Sequence, residues 1–285
     1  MTKPLTVLDY SRRIERVVDH IAEHLDEPLD LERLAAVACF SPYHFHRIYR
    51  AVTGETAADT LRRLRLHHAA GELVQGMAPI TAIARQAGYR SIAAFTRAFR
   101  AGYGIPPAAY RRQGRLVPPS PLPTETETAM YDVSIRALQP VRLAVLRHSG
   151  SYLEIGTTFE RLFAWAAGRG LMGAQTRVIG VYYDDPDGTP APALRSDAGI
   201  SVGPDVALDD GLRILEVPGG RHAVLHHKGP YAELNKAYRW LYRDWLPTSG
   251  EQCADRPIFE EYLNNPRALP PEEWLADICL PVVER

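Results

Sequence analysis

Apolar residues along the first third of the chain recur with a helical period. Ile14, Val17, Val18, Ile21 and Leu25 follow Tyr10 at three- and four-residue spacings, which predicts a helix closed by Pro28. A short apolar segment from Leu31 to Ala38 leads to Phe40-Ser41-Pro42. Ser41 is a good N-cap, and Pro42 suits a first helical position, where its missing N–H needs no partner. That helix is expected to reach Val52 and stop at Gly54. A long helix follows from about Ala57 to Gln75, and then the arrangement returns. Ile80 to Ala87 is short and apolar, Gly88-Tyr89 turns, and Ser91 caps a helix to about Ala101 that Gly102 and Gly104 end. Pro106 starts a last turn through Tyr110.

The pattern changes after LVPPSPLPTETET, residues 116–128, where Pro118, Pro119, Pro121 and Pro123 exclude both helix interior and central strand. An extended linker is expected there, with a core on either side and few contacts between the halves. Beyond it, short Val- and Ile-rich runs alternate with one helix at a time, and the segment repeats itself. RLAVLRHSGSYLEIGTTFERLF, from Arg142, aligns with RHAVLHHKGPYAELNKAYRWLY, from Arg221. Tyr152/Tyr231, Glu154/Glu233 and Leu162/Leu241 coincide, as do Tyr182/Tyr262, Pro186/Pro266 and Asp197/Asp277 further on. Each half reads as strand, helix, strand, strand. The expected fold is therefore multidomain. An all-α double helix-turn-helix domain (1–115) is followed by a proline-rich linker (116–129) and an α+β domain made of two such repeats (130–285).

The net charge of −1 over 285 residues hides an imbalance. Between Ser41 and Arg115 there are 12 basic residues and 3 acidic ones, whereas residues 116–285 carry 16 basic against 23 acidic. A basic half joined to an acidic half points to a polyanion as the partner of the first half only. In the helix after Ser41, Phe45, Ile48, Tyr49 and Val52 form the apolar stripe, and Tyr43, His46, Arg47 and Arg50 the polar one. In the helix after Ser91, Ile92, Phe95 and Phe99 face inward, and Ala93, Thr96, Arg97 and Arg100 outward. A helix held by a core on one face and offering donors on the other is what major-groove reading requires. Arg47 and Arg97 are the expected base readers, since a guanidinium fits guanine O6 and N7 as a fork; Arg50 and Arg100 are expected on phosphates. The long middle helix, roughly 28 Å at 1.5 Å per residue, can hold the two about one turn of DNA apart.

Residues from about 10 to 112 resemble the AraC/XylS family of transcription regulators. The motifs are LERLAAVACFSPYHFHRIYRAVTG and ITAIARQAGYRSIAAFTRAFRAGYGIPPAAYRR. The resemblance implies that Tyr43, His46 and Arg47, and Ala93, Thr96 and Arg97, lie toward the bases of double-stranded DNA, with RNA polymerase as protein partner. Relatives often carry polar side chains where this chain has Ile92, Ala93 and Ala94, which implies weaker readout by the second helix.

Residues from about 130 to 285 are similar to the GyrI-like effector-binding domain, through the HSGSY/HKGPY turns and Phe259-Glu260-Glu261-Tyr262-Leu263-Asn264-Asn265-Pro266. The order of the two domains resembles that of Rob-type regulators. The resemblance implies a small-molecule groove between the repeats. Tyr152, Tyr182, Tyr231, Trp245, Tyr262 and Trp274 are the aromatics that could wall it, and an acid among them would favour a cationic or aromatic effector. Glu260 breaks the repeat, because Gly180 is its counterpart. Strand alternation puts Glu260, Tyr262 and Asn264 on one face and Glu261 and Leu263 on the other. Parity alone does not select the buried face; the resemblance implies that Glu260 faces the cavity.

Other chemistry is weak. The His pairs 44/46, 67/68 and 226/227 lack metal-ligand spacing, and no metal or cofactor is expected. Asp184-Asp185-Pro186-Asp187-Gly188 reads as a hairpin turn. The three cysteines make no disulfide framework, and no apolar run could span a bilayer, so a cytoplasmic protein is expected. Two other readings of the acidic half stand beside effector binding. One, implied by the resemblance to GyrI-like domains, is hydrolysis of small electrophiles by Glu260 with Tyr152 or Tyr231, and the other is a ligand-independent activator whose second half binds a protein.

Overall fold

The structure, a computed structural model, describes residues 4–114 and 130–284; the expected linker lies outside them. The first part holds seven helices: α1 Pro4–Glu23, α2 Leu31–Ala38, α3 Pro42–Thr53, α4 Ala57–Gln75, α5 Ile80–Gln86, α6 Ile92–Tyr103 and α7 Pro107–Gln113. The cap residues act as their chemistry dictates. Ser41 Oγ accepts from the Tyr43 amide, Ser91 Oγ from the Ala94 amide and Thr56 Oγ1 from the Asp59 amide. Gly54 and Gly104 end α3 and α6 in the left-handed region, at φ 79° and 77°. The second helix-turn-helix has its own core, in which Leu66, Leu73, Ile83, Phe95, Phe99 and Tyr110 pack together.

The second part is one eight-stranded antiparallel sheet with its helices on one face. Its elements are β1 Asp132–Leu138, β2 Val141–Ser149, α8 Ile155–Ala167, β3 Val178–Tyr182 and β4 Arg195–Ser201, then β5 Leu212–Val217, β6 Gly220–Lys228, α9 Leu234–Trp240, α10 Leu246–Ser249, β7 Ile258–Tyr262 and β8 Leu275–Pro281. Each repeat therefore has one strand more than the sequence suggested. The extra strands cross over: the strand order is β1-β6-β8-β7-β3-β4-β2-β5, so β1 pairs with the second repeat and β5 with the first. The order is symmetric about the β3–β7 seam. There Gly180 stands opposite Glu260, with Val178 opposite Tyr262. The repeat counterparts 180 and 260 thus meet on the pseudo-twofold axis. Between α9 and α10 a wide π turn covers Leu241–Trp245. Pro247, just beyond it, cannot donate a hydrogen bond back into the helix, which accounts for the loosened turn.

The expectation of two separate cores is corrected. One continuous cluster runs from Tyr10, Ile14, Phe45 and Ile48 of the first helix-turn-helix into Leu146, Leu162, Leu234, Leu241 and Tyr242 of the sheet domain. Polar contacts cross the same boundary. His44, fully buried, holds the Tyr242 hydroxyl at 2.7 Å and the Arg256 carbonyl at 3.0 Å. Ser41 Oγ donates to Asp255 at 2.8 Å, and Tyr10 OH reaches the Glu251 carbonyl at 3.4 Å. A buried histidine satisfied at both nitrogens across a boundary specifies how the halves dock.

Candidate DNA face and ligand cavity

The two expected recognition helices differ in their surroundings. On α6, Ala93, Arg97 and Arg100 are exposed and Thr96 is half-buried, while Phe95 and Phe99 are fully buried beneath them. The outward stripe of α6 is thus open to solvent. On α3, Tyr43, His46, Arg47 and Arg50 are all half-buried. The expectation of a solvent-open face on α3 is corrected, because the sheet domain covers it. The Arg47 guanidinium lies over the Tyr238 ring at 4.2 Å and near that of Tyr242 at 5.7 Å, and Nη2 reaches the Asp184 carbonyl at 3.4 Å. Arg50 pairs with Asp187. His46 packs so tightly on Gly188 that a Cβ there would fall 2.5 Å from its Nδ1.

Beside Arg47 opens a cavity of about 2180 Å³, walled by α8, α9, β3, β7 and the end of α3. Glu260 lies in it, 4% exposed. Tyr238 donates to Glu260 Oε1 at 2.9 Å and Tyr262 to Oε2 at 2.8 Å, while Tyr182 and Tyr262 share a hydrogen bond of 2.6 Å between their hydroxyls. Burial raises the Glu260 pKa, against the three tyrosine hydroxyls and the nearby Arg47 charge, which lower it. Burial likewise pushes Tyr231 up to about 12, so its hydroxyl stays protonated near neutrality, and burial also raises Tyr182, Tyr238 and Tyr262. Gly180 makes the network possible: a Cβ at that position would lie 2.9 Å from the Tyr182 hydroxyl, whose ring folds over the glycine. Glu261 points to the other face, as alternation requires, and is clamped by Arg177 through two 2.7 Å bonds.

Six of the seven expected cavity residues line this space: Tyr152, Tyr182, Tyr231, Glu260, Tyr262 and Trp274. Their roles differ. Tyr152 packs edge-on against Tyr182 at 4.9 Å, and its hydroxyl holds the Asp184 amide and carbonyl at 3.0 and 3.1 Å, bracing the acidic turn. Trp274 packs on Tyr231 at 4.8 Å with its indole N–H bound to the Pro266 and Leu269 carbonyls, while the Tyr231 hydroxyl is buried without a partner. Trp245 is the correction. It sits at the end of the π turn, packs against the core and is not among the lining residues. Its expected place belongs to Tyr238 and Tyr242, which sequence reading missed. The signal was present: their repeat counterparts are Phe159 and Phe163, so at these two positions only the second repeat carries a hydroxyl, as only the second carries the acid of Glu260.

Comparison with known proteins matches both parts. Residues 131–283 match the family described as GyrI-like small molecule binding domain, and residues 34–113 match a helix-turn-helix domain family. The chain is 31% identical over 155 residues to a DNA gyrase inhibitor of Edwardsiella piscicida, covering 53% of this chain and 97% of that protein. It is 34% identical over 106 residues to the regulatory protein SoxS of Escherichia coli, covering 37% of this chain and 99% of SoxS. It is 36% identical over 102 residues to the HTH-type transcriptional regulator YbfP of Bacillus subtilis, where the match spans 36% of this chain and 35% of that regulator. The chain therefore belongs to the GyrI-like small molecule binding family and carries that domain behind an AraC-type helix-turn-helix domain, the make-up of a DNA-binding transcription regulator with an effector-binding half.

Proposed function

We propose that the chain regulates transcription by binding double-stranded DNA through α3 and α6 and a small cationic aromatic effector through the cavity around Glu260. The observation that carries the effector class is the Glu260 carboxylate, buried and held by donated hydroxyls from Tyr238 and Tyr262. A carboxylate inside an aromatic wall attracts a cation by charge and by ring quadrupole together. The unpartnered Tyr231 hydroxyl adds one further polar contact for a ligand. On the DNA side, Arg97 would read a base, and Arg100 would meet phosphate; Arg47 and Arg50 would take the same parts on α3 once it is uncovered. RNA polymerase is the protein partner that such a regulator would require. The named relatives are regulators and a gyrase inhibitor, which supports binding over turnover. No helix among the described residues is long and apolar enough to cross a membrane.

The test is thermal melting of the full chain with benzamidinium and with benzamide, its neutral counterpart of similar shape. A ligand that binds only the folded state must raise the melting temperature. Stabilisation by benzamidinium at lower concentration than by benzamide supports the reading. Equal shifts refute the cation preference. No shift with either favours the reading in which the second half binds only a protein.

A further inference from the structure

The outward stripe of α3 is the part of the molecule that has two claims on it. It is half of the expected DNA face, yet it touches the rim of the ligand cavity and the turn Asp184–Gly188. We propose that Arg47 belongs to both sites: the acidic turn holds α3 in place of DNA, and a cationic effector that takes the guanidinium's position on Tyr238 and Tyr242 releases the helix to bind DNA. This rests on the effector reading above and adds its coupling to DNA.

Four contacts carry the inference. The Arg47 guanidinium lies over the Tyr238 ring, and that same tyrosine donates to Glu260. A planar cation of the chain itself therefore occupies the surface that a planar cationic ligand would need. Its Nη1 is buried there without a hydrogen-bond partner, so the position is filled but incompletely satisfied. Arg50 meets the Asp187 carboxylate, the charge it would meet on a DNA phosphate. His46 lies against Gly188, closing off the third member of the stripe. By contrast, Arg97 and Arg100 of α6 are exposed, so masking falls on one recognition helix only.

The coupling follows from exclusion. Duplex DNA and the acidic turn need the same side of α3, and the effector and the guanidinium need the same face of Tyr238. A ligand that favours the undocked helix must raise DNA affinity by the factor with which DNA raises ligand affinity.

The test uses the full chain, a random-sequence duplex long enough for both helices, and fixed salt. Gly188→Leu places an uncharged wedge against His46 and changes no residue of the DNA face. It should tighten duplex binding by about tenfold, within the usual coupling range. Should that variant fail to fold, Asp187→Asn takes its place. It should bind the duplex about two- to fivefold more tightly than Asp210→Asn, which removes the same charge from an exposed site outside the contact. The second arm titrates benzamidinium into the wild type and Arg47→Ala, with tighter binding expected to the variant because the guanidinium no longer competes. Unchanged duplex affinity in Gly188→Leu, or equal affinities in Asp187→Asn and Asp210→Asn, overturns the masking. Equal benzamidinium affinities in the wild type and Arg47→Ala overturn the shared position while leaving Glu260 as the ligand site. Failure of benzamidinium to bind either protein sinks the effector reading instead, and the duplex comparison then decides the masking alone.

Discussion

Gly180 and Glu260 stand opposite one another where β3 pairs with β7, and they are counterparts in the two repeats. One position on the axis thus carries no side chain and the other a buried acid. The missing side chain matters as much as the acid, because Tyr182 lies over the glycine and reaches Tyr262 from there. Gly180→Ala is expected to push the Tyr182 ring from its place in a packed interior. The cost should be about 1–3 kcal/mol, in the range for overpacking, and cavity binding should be lost with it. Denaturant unfolding and a benzamidinium titration of the variant check both.

His44 makes the docked arrangement sensitive to acid. Burial lowers its pKa to about 3, from an ordinary value of 6.5. Between those values the unfolded chain takes up a proton that the folded chain refuses, so stability falls as pH drops below 6.5. By about pH 5 the loss from this group alone should be about 2 kcal/mol, at 1.36 kcal/mol per unit. His44→Gln should be less stable at neutral pH and should lose less on acidification than the wild type. Unfolding midpoints of both proteins at neutral pH and near pH 5 provide the comparison.

The open face of α6 makes separate claims for its arginines. Arg97→Ala should cost about 1–3 kcal/mol against the preferred sequence and relax preference at one base pair. Arg100→Ala should weaken binding to all duplexes alike and reduce the salt slope by about one. Anisotropy titrations at several salt concentrations separate the two. Equal losses on every sequence for Arg97→Ala would remove it from base reading.

The helices of the first part were legible because capping and periodicity are local. Ser41, Ser91 and Gly54 do in the fold what their chemistry dictates in isolation. Glu260 was legible because it breaks a repeat, and Tyr238 and Tyr242 carried the same signal against Phe159 and Phe163. Strands β1 and β5 escaped because each pairs with the other repeat at a sheet edge and is largely half-exposed. Their apolar alternation is correspondingly weak. Trp245 was misplaced because aromatic type alone does not tell a cavity wall from the core against which it packs. The docking of α3 was not legible at all. Arginine and histidine on an outward stripe suit a phosphate and an aspartate-rich turn equally well, so residue type could not tell DNA from Asp184–Gly188.

Recognition of a small cation by the full chain turns on the charge of Glu260. Calorimetric titration of benzamidinium and benzamide into the wild type and Glu260→Gln tests it most directly. Removing one charge-assisted contact should weaken benzamidinium binding by about ten- to a hundredfold, while benzamide binding changes little because the cavity keeps its shape and its tyrosines. Equal losses for both compounds, or an unchanged affinity for benzamidinium, would contradict the claim and leave the aromatic wall without its acid.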